Sequence, residues 1–304
     1  MHRSRQIDLI EAPSDLGLKP PAPGRVPGAR RAPEALRAAG LHEMLALRSV
    51  RTVEPPHYHP DEARVVNVRN MQAIADYSRT LAAEIGNVRQ DNGFPLLIGG
   101  DCSVLLGAGL ALKRGGTSGL VFIDGHTDFF VPEQSGTGGA AGMDLALATG
   151  WGPQTLTNID GMSPYFEPCN VLLLGNRDFE RPPPGDIPTA AESGMDYWDL
   201  PSLRRKGTVE TASTRLNALA RRPVDGIWVH LDVDALDDAI MPAVDSRQPD
   251  GLSWEEMGAI LGAAFATGKI AGMEITIFDP DLDSNGTIAS DLVRNIVQWL
   301  EPLV

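Results

Sequence analysis

Three apolar segments of the sequence each run directly into polar residues that could do chemistry. The segment at 95–98 leads into Gly-Gly-Asp-Cys-Ser at 99–103, and the segment at 120–123 leads into Asp-Gly-His-Thr-Asp at 124–128. The third apolar segment begins at residue 227 and contains His230 before it reaches two aspartates. In an open α/β sheet, ligands bind beyond the carboxyl ends of the strands, so these polar residues are candidates for a binding site.

The spacing within two of these clusters places like side chains together. Side chains alternate across a strand with a period of two, so residues at every second position project the same way while the backbone stays extended. Each of the two later clusters has three ionisable residues at this spacing. They are Asp124, His126 and Asp128 in one, and His230, Asp232 and Asp234 in the other.

Carboxylates gathered at the ends of apolar strands predict a bound cation. An uncompensated buried carboxylate costs several kcal/mol or takes up a proton instead, and a divalent ion removes that cost. Oxygen ligands with one imidazole suit Mn²⁺ or a similar hard ion. Each motif taken alone is also typical of a turn with solvated acids. Because both follow apolar segments, the metal hypothesis explains them better together.

The elements that must position these residues alternate along the chain as strands and helices. Such alternation predicts right-handed crossovers and a mostly parallel sheet within one α/β domain covering residues 1–304. A glycine-rich segment at 136–142 is expected to line the rim of the site, and Ser253 with Glu256 forms a capping box. The predicted strands are 7–10, 50–53, 95–98, 120–123, 171–174, 226–233 and 272–277, and the predicted helices are 69–89, 103–113, 203–221, 253–266 and 288–300.

Composition excludes several classes of protein. The 304 residues include 26 Lys and Arg against 40 Asp and Glu, giving a net charge of -14, which argues against a nucleic-acid partner. The excess of acid suits a cationic ligand, although it also serves solubility. Two cysteines form no disulfide framework, and no apolar run reaches the length of a membrane span. We therefore expect a cytoplasmic protein with no membrane partner. Phosphate-loop, dinucleotide and serine-hydrolase motifs are missing from the sequence.

Four segments resemble the ureohydrolase family, which comprises arginases, agmatinases and formimidoylglutamases. GGDCS at 99–103 resembles the family's GGDHS, and DGHTD at 124–128 resembles DAHxD. DVDALD at 232–237 resembles DxDxxD, and GMEITIFDP at 272–280 resembles the segment that places an acid near the guanidino group of the substrate. The resemblance implies a three-layer α/β/α fold with an arginase-like, mostly parallel sheet.

The resemblance also implies a centre of two Mn²⁺ ions and a hydroxide held between them that attacks a guanidino or amidino carbon. By position, Asp124 and Asp232 would bridge the two ions. Cys102 and Asp128 would complete the ligands of the first ion, and His126 and Asp234 would complete those of the second ion. Asp128 would relay a proton to the leaving amine, and Glu274 would pair with the cationic substrate. His230 would orient a ligand or serve as a hydrogen-bonded core residue. A homo-oligomer acting on a small cationic molecule is also implied.

Two departures from the family pattern bear on the chemistry. Cys102 stands where the family has a histidine ligand, which opens three alternatives: a thiolate ligand, Zn²⁺ in place of Mn²⁺, or a buried cysteine beside a single metal. In the loop after the second motif, Phe130 and Gly139 replace polar contacts and Ala141 replaces a proton-shuttle histidine. Residues that remain as possible substrate contacts are Ser135, Thr137 and Glu180.

These departures favour an N-substituted or N-hydroxylated guanidine over L-arginine, because its leaving group needs less help from an acid. The main alternative is a family member that binds metal or a ligand for regulation and has lost turnover. A hydrolase acting on a non-guanidine amide is a third possibility.

Overall fold

The computed structural model describes residues 5–59, 66–178, 183 and 185–303. Within this part of the chain, the strands are β1 (Ile7–Ala12), β2 (Leu47–Thr52), β3 (Phe94–Gly99), β4 (Ser118–Ile123), β5 (Val171–Leu174), β6 (Asp196–Trp198), β7 (Gly226–Asp232) and β8 (Ile270–Thr276). They form one sheet in the order β2-β1-β3-β8-β7-β4-β5-β6, and every neighbouring pair is parallel.

The α-helices of the described residues connect these strands. They are α1 (Ala32–Ala38), α2 (Leu41–Met44), α3 (Met71–Gln90), α4 (Leu105–Gly115), α5 (Asp144–Ala148), α6 (Gln154–Thr157), α7 (Leu200–Lys206), α8 (Thr208–Ala220), α9 (Trp254–Ala266) and α10 (Thr287–Leu300). None of the described helices is both long enough and apolar enough to cross a bilayer.

Helices cover both faces of the sheet, which explains why the central strands are apolar throughout. Alternate residues of β4 belong to different cores: Val121 belongs to the core that includes residues of α8, α9 and α10, whereas Phe122 belongs to the core that includes residues of α3 and α4. Strands buried on both faces require near-continuous apolar sequences, and every residue of β3, β4 and β5 is buried. The predicted three-layer α/β/α architecture is confirmed.

The strand order brings the three motif-bearing strands to the middle of the sheet. The chain builds outward from β1 to β2, continues through β3, and then leaves a gap before β4, β5 and β6; β8 and β7 later fill that gap. The carboxyl ends of β3, β4 and β7 therefore meet at one edge, at the point where a parallel sheet binds ligands.

The structure differs from the sequence-based prediction in several elements, and the short helices α1, α2, α5 and α6 were not predicted. The predicted helix at 203–221 is two helices, because Gly207 adopts a φ of 88° between α7 and α8. Strand β6 was not predicted, since its three residues are only half-buried and carry no apolar alternation. The assumption that 124–128 stays extended was wrong: β4 ends at Ile123, and Asp128 has a φ of 41°. The capping box of Ser253 and Glu256 at the start of α9 is present as predicted.

Glycine is required where β8 passes Trp228 of β7. A Cβ built on Gly272 would lie 2.2 Å from the indole ring of Trp228 and 2.8 Å from Pro95. Gly262 in α9 is the matched control, because a Cβ there would meet nothing within 4 Å. We expect Gly272→Ala to lower the free energy of unfolding by about 1–3 kcal/mol through overpacking. Gly262→Ala should raise it by roughly 0.5–1 kcal/mol through helix propensity. Urea denaturation of both variants measures this, and equal effects would contradict the packing argument.

Candidate metal centre

An imidazole and two carboxylates converge where β4 and β7 end. Asp124 follows the last residue of β4, and Asp234 lies in the turn after β7. His126 Nδ1 is 3.0 Å from Asp234 Oδ2 and 3.6 Å from Asp124 Oδ1. One donor atom from each of these three residues lies within 4.8 Å of the other two, close enough to share an ion. We call this group the cleft cluster.

Backbone amides fix the carboxylates of the cleft cluster in place. The amide of His126 donates to Asp124 Oδ1 at 2.6 Å, and the amide of Gly125 donates to Asp234 Oδ1 at 3.0 Å. The amide of Asp234 in turn donates to Asp232 Oδ1 at 2.7 Å. These bonds arise because the chain turns sharply after each strand, which leaves amides free for side-chain acceptors.

The imidazole of His126 supplies positive charge between the two carboxylates of the cleft cluster. Burial raises the pKa of Asp124 to about 6, and repulsion from Asp234 acts in the same direction. Burial alone would lower the pKa of His126, but hydrogen bonds to Asp124 and Asp234 outweigh it and raise the pKa. Burial and neighbouring aspartates also raise the pKa of Asp128 and Asp232 well above the usual carboxyl range. This is a site with a surplus of negative charge.

A hard or borderline dication fits this donor set. Asp124 Oδ2 is buried and has no hydrogen-bond partner, so one ligand atom of the cluster is already available. Two carboxylates and an imidazole, with Asp232 beside them, match the ligands that Mn²⁺ and similar ions take.

The cluster opens into a cleft of about 370 Å³. Among the residues that the structure describes, its walls come from the amino-terminal loop, the loop after β4, the segments after β5 and β7, and the end of β8. They are Gly17, Leu18, Lys19, His126, Asp128, Phe130, Gln134, Ser135, Gly136, Thr137, Gly139, Ala141, Gly142, Asp178, Asp232, Asp234, Asp245, Ser246 and Ile277. The glycine-rich loop therefore lines the rim, as its sequence predicted.

The predicted substrate contacts meet different outcomes. Ser135 and Thr137 line the cleft, although their hydroxyls also accept hydrogen bonds from the amides of Gly138 and Gly139. Glu180 lies outside the described residues. Phe130 and Ala141, whose side chains replace polar ones of the family pattern, also line the cleft.

Glu274 and His230 contact each other behind the cleft wall. Both side chains are fully buried, and Glu274 Oε1 lies 2.7 Å from His230 Nδ1. Neither residue is among the described residues of the cleft wall, and the pairing of Glu274 with a cationic substrate stays a prediction. Glu274 is the register partner of His230 in the β7–β8 ladder, so the two side chains leave the same face of the sheet. Cys102 is likewise buried, with its Sγ 3.0 Å from Asp232 Oδ2.

Asp144 was not identified from the sequence. It is fully buried at the start of α5, and it lies near Cys102 and His230. A signal existed, because Asp144 is the one charged residue in the otherwise small or apolar stretch 139–149. An acid in such a stretch is either exposed at a turn or buried, and a buried acid needs a partner or a proton to offset its desolvation.

Arg177 holds the loop that carries Asp234. Its guanidinium donates to the carbonyls of Asp234, Leu236 and Gln248 at 2.9, 3.1 and 2.8 Å. Further bonds reach the carbonyls of Ala235 and Pro249. Only the planar fork of arginine can serve so many acceptors at once.

The fold and the cleft define a class of protein: a three-layer α/β protein with an acid-rich cleft at the carboxyl edge of its parallel sheet. The arginase family model matches residues 5–300, and the chain belongs to the arginase family. An arginase from Staphylococcus aureus strain COL is 30% identical over 304 residues, covering 96% of each chain. The protein with the present sequence is therefore an arginase-family hydrolase.

Solved structures show the same fold. The arginase of Bacillus caldovelox matches with a TM-score of 0.85 and 26% identity over 98% of each chain. The formimidoylglutamase of Bacillus subtilis matches with a TM-score of 0.71 and 18% identity, covering 99% of this chain and 88% of that one. The predicted ureohydrolase resemblance is confirmed.

Metal binding should stabilise the protein more at neutral than at acidic pH. The pKa of Asp124 is raised to about 6, so the metal-free fold is favoured while this carboxyl is protonated and loses stability as the pH rises towards about 6. A cation binds the deprotonated cluster and must displace the His126 proton, so its affinity rises with pH. We expect the increase in melting temperature caused by Mn²⁺ to grow as the pH rises through about 6.

Calorimetric melting with and without Mn²⁺ measures this effect. Asp291→Asn serves as the control, because Asp291 is an acid on α10 paired only with the exposed Arg294 among the described contacts. An increase in melting temperature that is the same at acidic and neutral pH would contradict the proposed ligands.

Arg177→Lys should weaken the metal affinity of the cleft cluster by roughly 10–100-fold, the usual effect of losing a residue that orients metal ligands. Lysine keeps the charge but cannot serve several carbonyls at once. Isothermal titration with Mn²⁺ measures the affinity, and Arg294→Lys on the surface of α10 is the matched control. Unchanged affinity in Arg177→Lys would show that the loop holds Asp234 without this residue.

Proposed function

We propose that the protein hydrolyses a C–N bond of a linear guanidino or amidino compound with the help of Mn²⁺ bound by the cleft cluster. The observation that carries the proposal is the convergence of Asp124, His126 and Asp234 at the base of a cleft in an arginase-family fold. The ion would be held by these three residues together with Asp232. When bound, it supplies Lewis-acid chemistry that lowers the pKa of water by several units.

The charges of the cleft favour a cationic substrate. Besides the cleft cluster, the walls formed by the described residues carry four aspartates and the exposed Lys19. The aspartates are Asp128, Asp178, Asp232 and Asp245. Asp178 is held in place because its Oδ2 accepts hydrogen bonds from the backbone amide and the hydroxyl of Thr127 at 3.1 and 2.9 Å. A positioned carboxylate can orient a guanidinium so that its carbon faces the cluster.

Asp128 is the candidate for proton transfer. It is buried, lines the cleft and has a raised pKa because of burial and the charge of Asp124. Its carboxylate would accept a proton from the attacking water and return it to the leaving nitrogen. Breakdown of the tetrahedral carbon then releases the amine and a urea or amide product.

The cleft favours a modified guanidine over L-arginine. Ala141 offers no proton, and Phe130 and Gly139 offer no polar side chain for an amino-acid head group. An N-hydroxylated or N-substituted guanidine suits this cleft, because the leaving group is less basic or the contacts are fewer. Hydrolysis of an N-hydroxyguanidine at its hydroxylated nitrogen would give a urea and hydroxylamine, a weaker base than an alkylamine.

A substrate panel tests the proposal. Purified Mn²⁺-loaded protein is assayed for amine and urea release from arginine, agmatine, N-hydroxyguanidines and formimino compounds. We expect kcat/KM for the preferred modified guanidine to exceed that for L-arginine by roughly a hundredfold, the scale of a missing proton-transfer group. Asp234→Asn should lower the preferred activity by roughly a thousandfold, because a Lewis acid contributes several kcal/mol.

Asp291→Asn is the control and should retain activity. Turnover of no amidine by protein that binds Mn²⁺ would favour the alternative, a family member that binds a ligand for regulation. Highest activity on L-arginine would overturn the substrate preference alone.

A further inference from the structure

Three metal-binding side chains meet behind the cleft, outside the cleft cluster. Cys102 follows β3, His230 lies within β7, and Asp144 begins α5. All three are 0% exposed, and their donor atoms lie within 4.8 Å of one another. None of them lines the cleft. We call this group the buried cluster.

Two atoms of the buried cluster face each other without hydrogen bonds. His230 Nε2 and Asp144 Oδ2 are both buried and unpartnered, and they lie 3.9 Å apart. That distance is too long for a hydrogen bond. Two nitrogen or oxygen ligands of a tetrahedral metal lie about 3.4 Å apart, so a small side-chain adjustment would let one ion satisfy both.

His230 is oriented in the way that metal-binding histidines are. Its Nδ1 is 2.7 Å from Glu274 Oε1, and its ring stacks on Phe122 with the centroids 4.4 Å apart and the planes at 13°. A proton on Nδ1, shared with the carboxylate, leaves the lone pair of Nε2 directed at Asp144. A carboxylate behind a ligating imidazole is a recurring feature of metal sites. In this site Glu274 would orient the imidazole of His230.

The donors of the buried cluster differ in kind from those of the cleft cluster. A thiolate, an imidazole and a carboxylate suit Zn²⁺, whereas the cleft cluster has no sulfur. Asp232 connects the two groups, because its Oδ2 accepts from Cys102 Sγ at 3.0 Å and its Oδ1 accepts from the amide of Asp234. Asp232 is thus available as the fourth ligand that a closed tetrahedral site needs.

We propose that Cys102, Asp144 and His230, with Asp232, hold a zinc-class divalent ion beside the cleft cluster. Asp232 is the one of these four ligands that also lines the cleft, so the ion would fix Asp232 and add positive charge behind the reacting groups. Only this supporting role rests on the proposed hydrolase function; the binding of the ion does not.

Cobalt spectroscopy tests the site directly. Chelator-treated protein is titrated with Co²⁺, and a thiolate-bound tetrahedral ion gives a near-ultraviolet charge-transfer band and strong visible bands. We expect these bands in the unsubstituted protein, their loss in Cys102→Ser, and their marked weakening in His230→Gln. Cys169→Ser is the matched control, because Cys169 is the other free cysteine and is exposed. The bands should persist in Cys169→Ser and in His126→Asn, which alters only the cleft cluster.

Bound cobalt without a thiolate band in the unsubstituted protein would overturn the proposal, as would a band that survives in Cys102→Ser. X-ray absorption of the Zn²⁺-loaded unsubstituted protein gives an answer that no folding defect can affect. One sulfur neighbour is expected, and a shell of nitrogen and oxygen alone would overturn the site. Because these readouts do not involve turnover, an inactive protein with the cobalt bands would refute the proposed function and leave this site standing.

Discussion

The structure depends on compensating the carboxylates that are buried at one edge of the sheet. Asp124, Asp128, Asp144, Asp232, Asp234 and Glu274 are all at most 9% exposed, and the apolar strands that carry or precede several of them exclude water. So many acids cannot all ionise in such a place without cations or protons. Burial raises the pKa values of Asp124, Asp128 and Asp232, which shows the cost of ionising them in this place. The imidazole of His126 lies between two carboxylates and offsets part of their charge.

The topology explains why the acids meet. Strands β3, β4 and β7 are far apart in sequence, but the returning strands β8 and β7 fill the middle of the sheet and bring their carboxyl ends together. The turns after β4 and β7 then supply amides that orient Asp124 and Asp234, and Arg177 fixes the backbone beyond. The same register that builds the edge places Glu274 against His230, away from the cleft. Fold and site are therefore set by one arrangement.

Sequence was most informative where chemistry follows an apolar strand. Asp124, His126 and Asp234 could be identified because acids after a buried strand need a reason, and the fold class followed from the alternation of strands and helices. Asp144 could not be identified in this way, because it begins a short helix and does not follow an apolar strand, so its position depends on tertiary packing. The role of Glu274 stays a prediction, because a family motif gives position along the chain but not which side chains reach a bound ligand. Gly207 divides a predicted helix through a backbone conformation that hydrophobic spacing does not reveal.

The central claim is that the cleft cluster is a cation site and not a hydrogen-bonded group of protonated acids. The most direct measurement is a crystal structure of Mn²⁺-soaked protein with anomalous data collected near the manganese absorption edge. The account predicts an anomalous peak in contact with Asp124, His126 and Asp234, with the imidazole no longer paired to Asp234. A fully occupied soak that leaves no peak at this position, with His126 still bonded to both carboxylates, would contradict it.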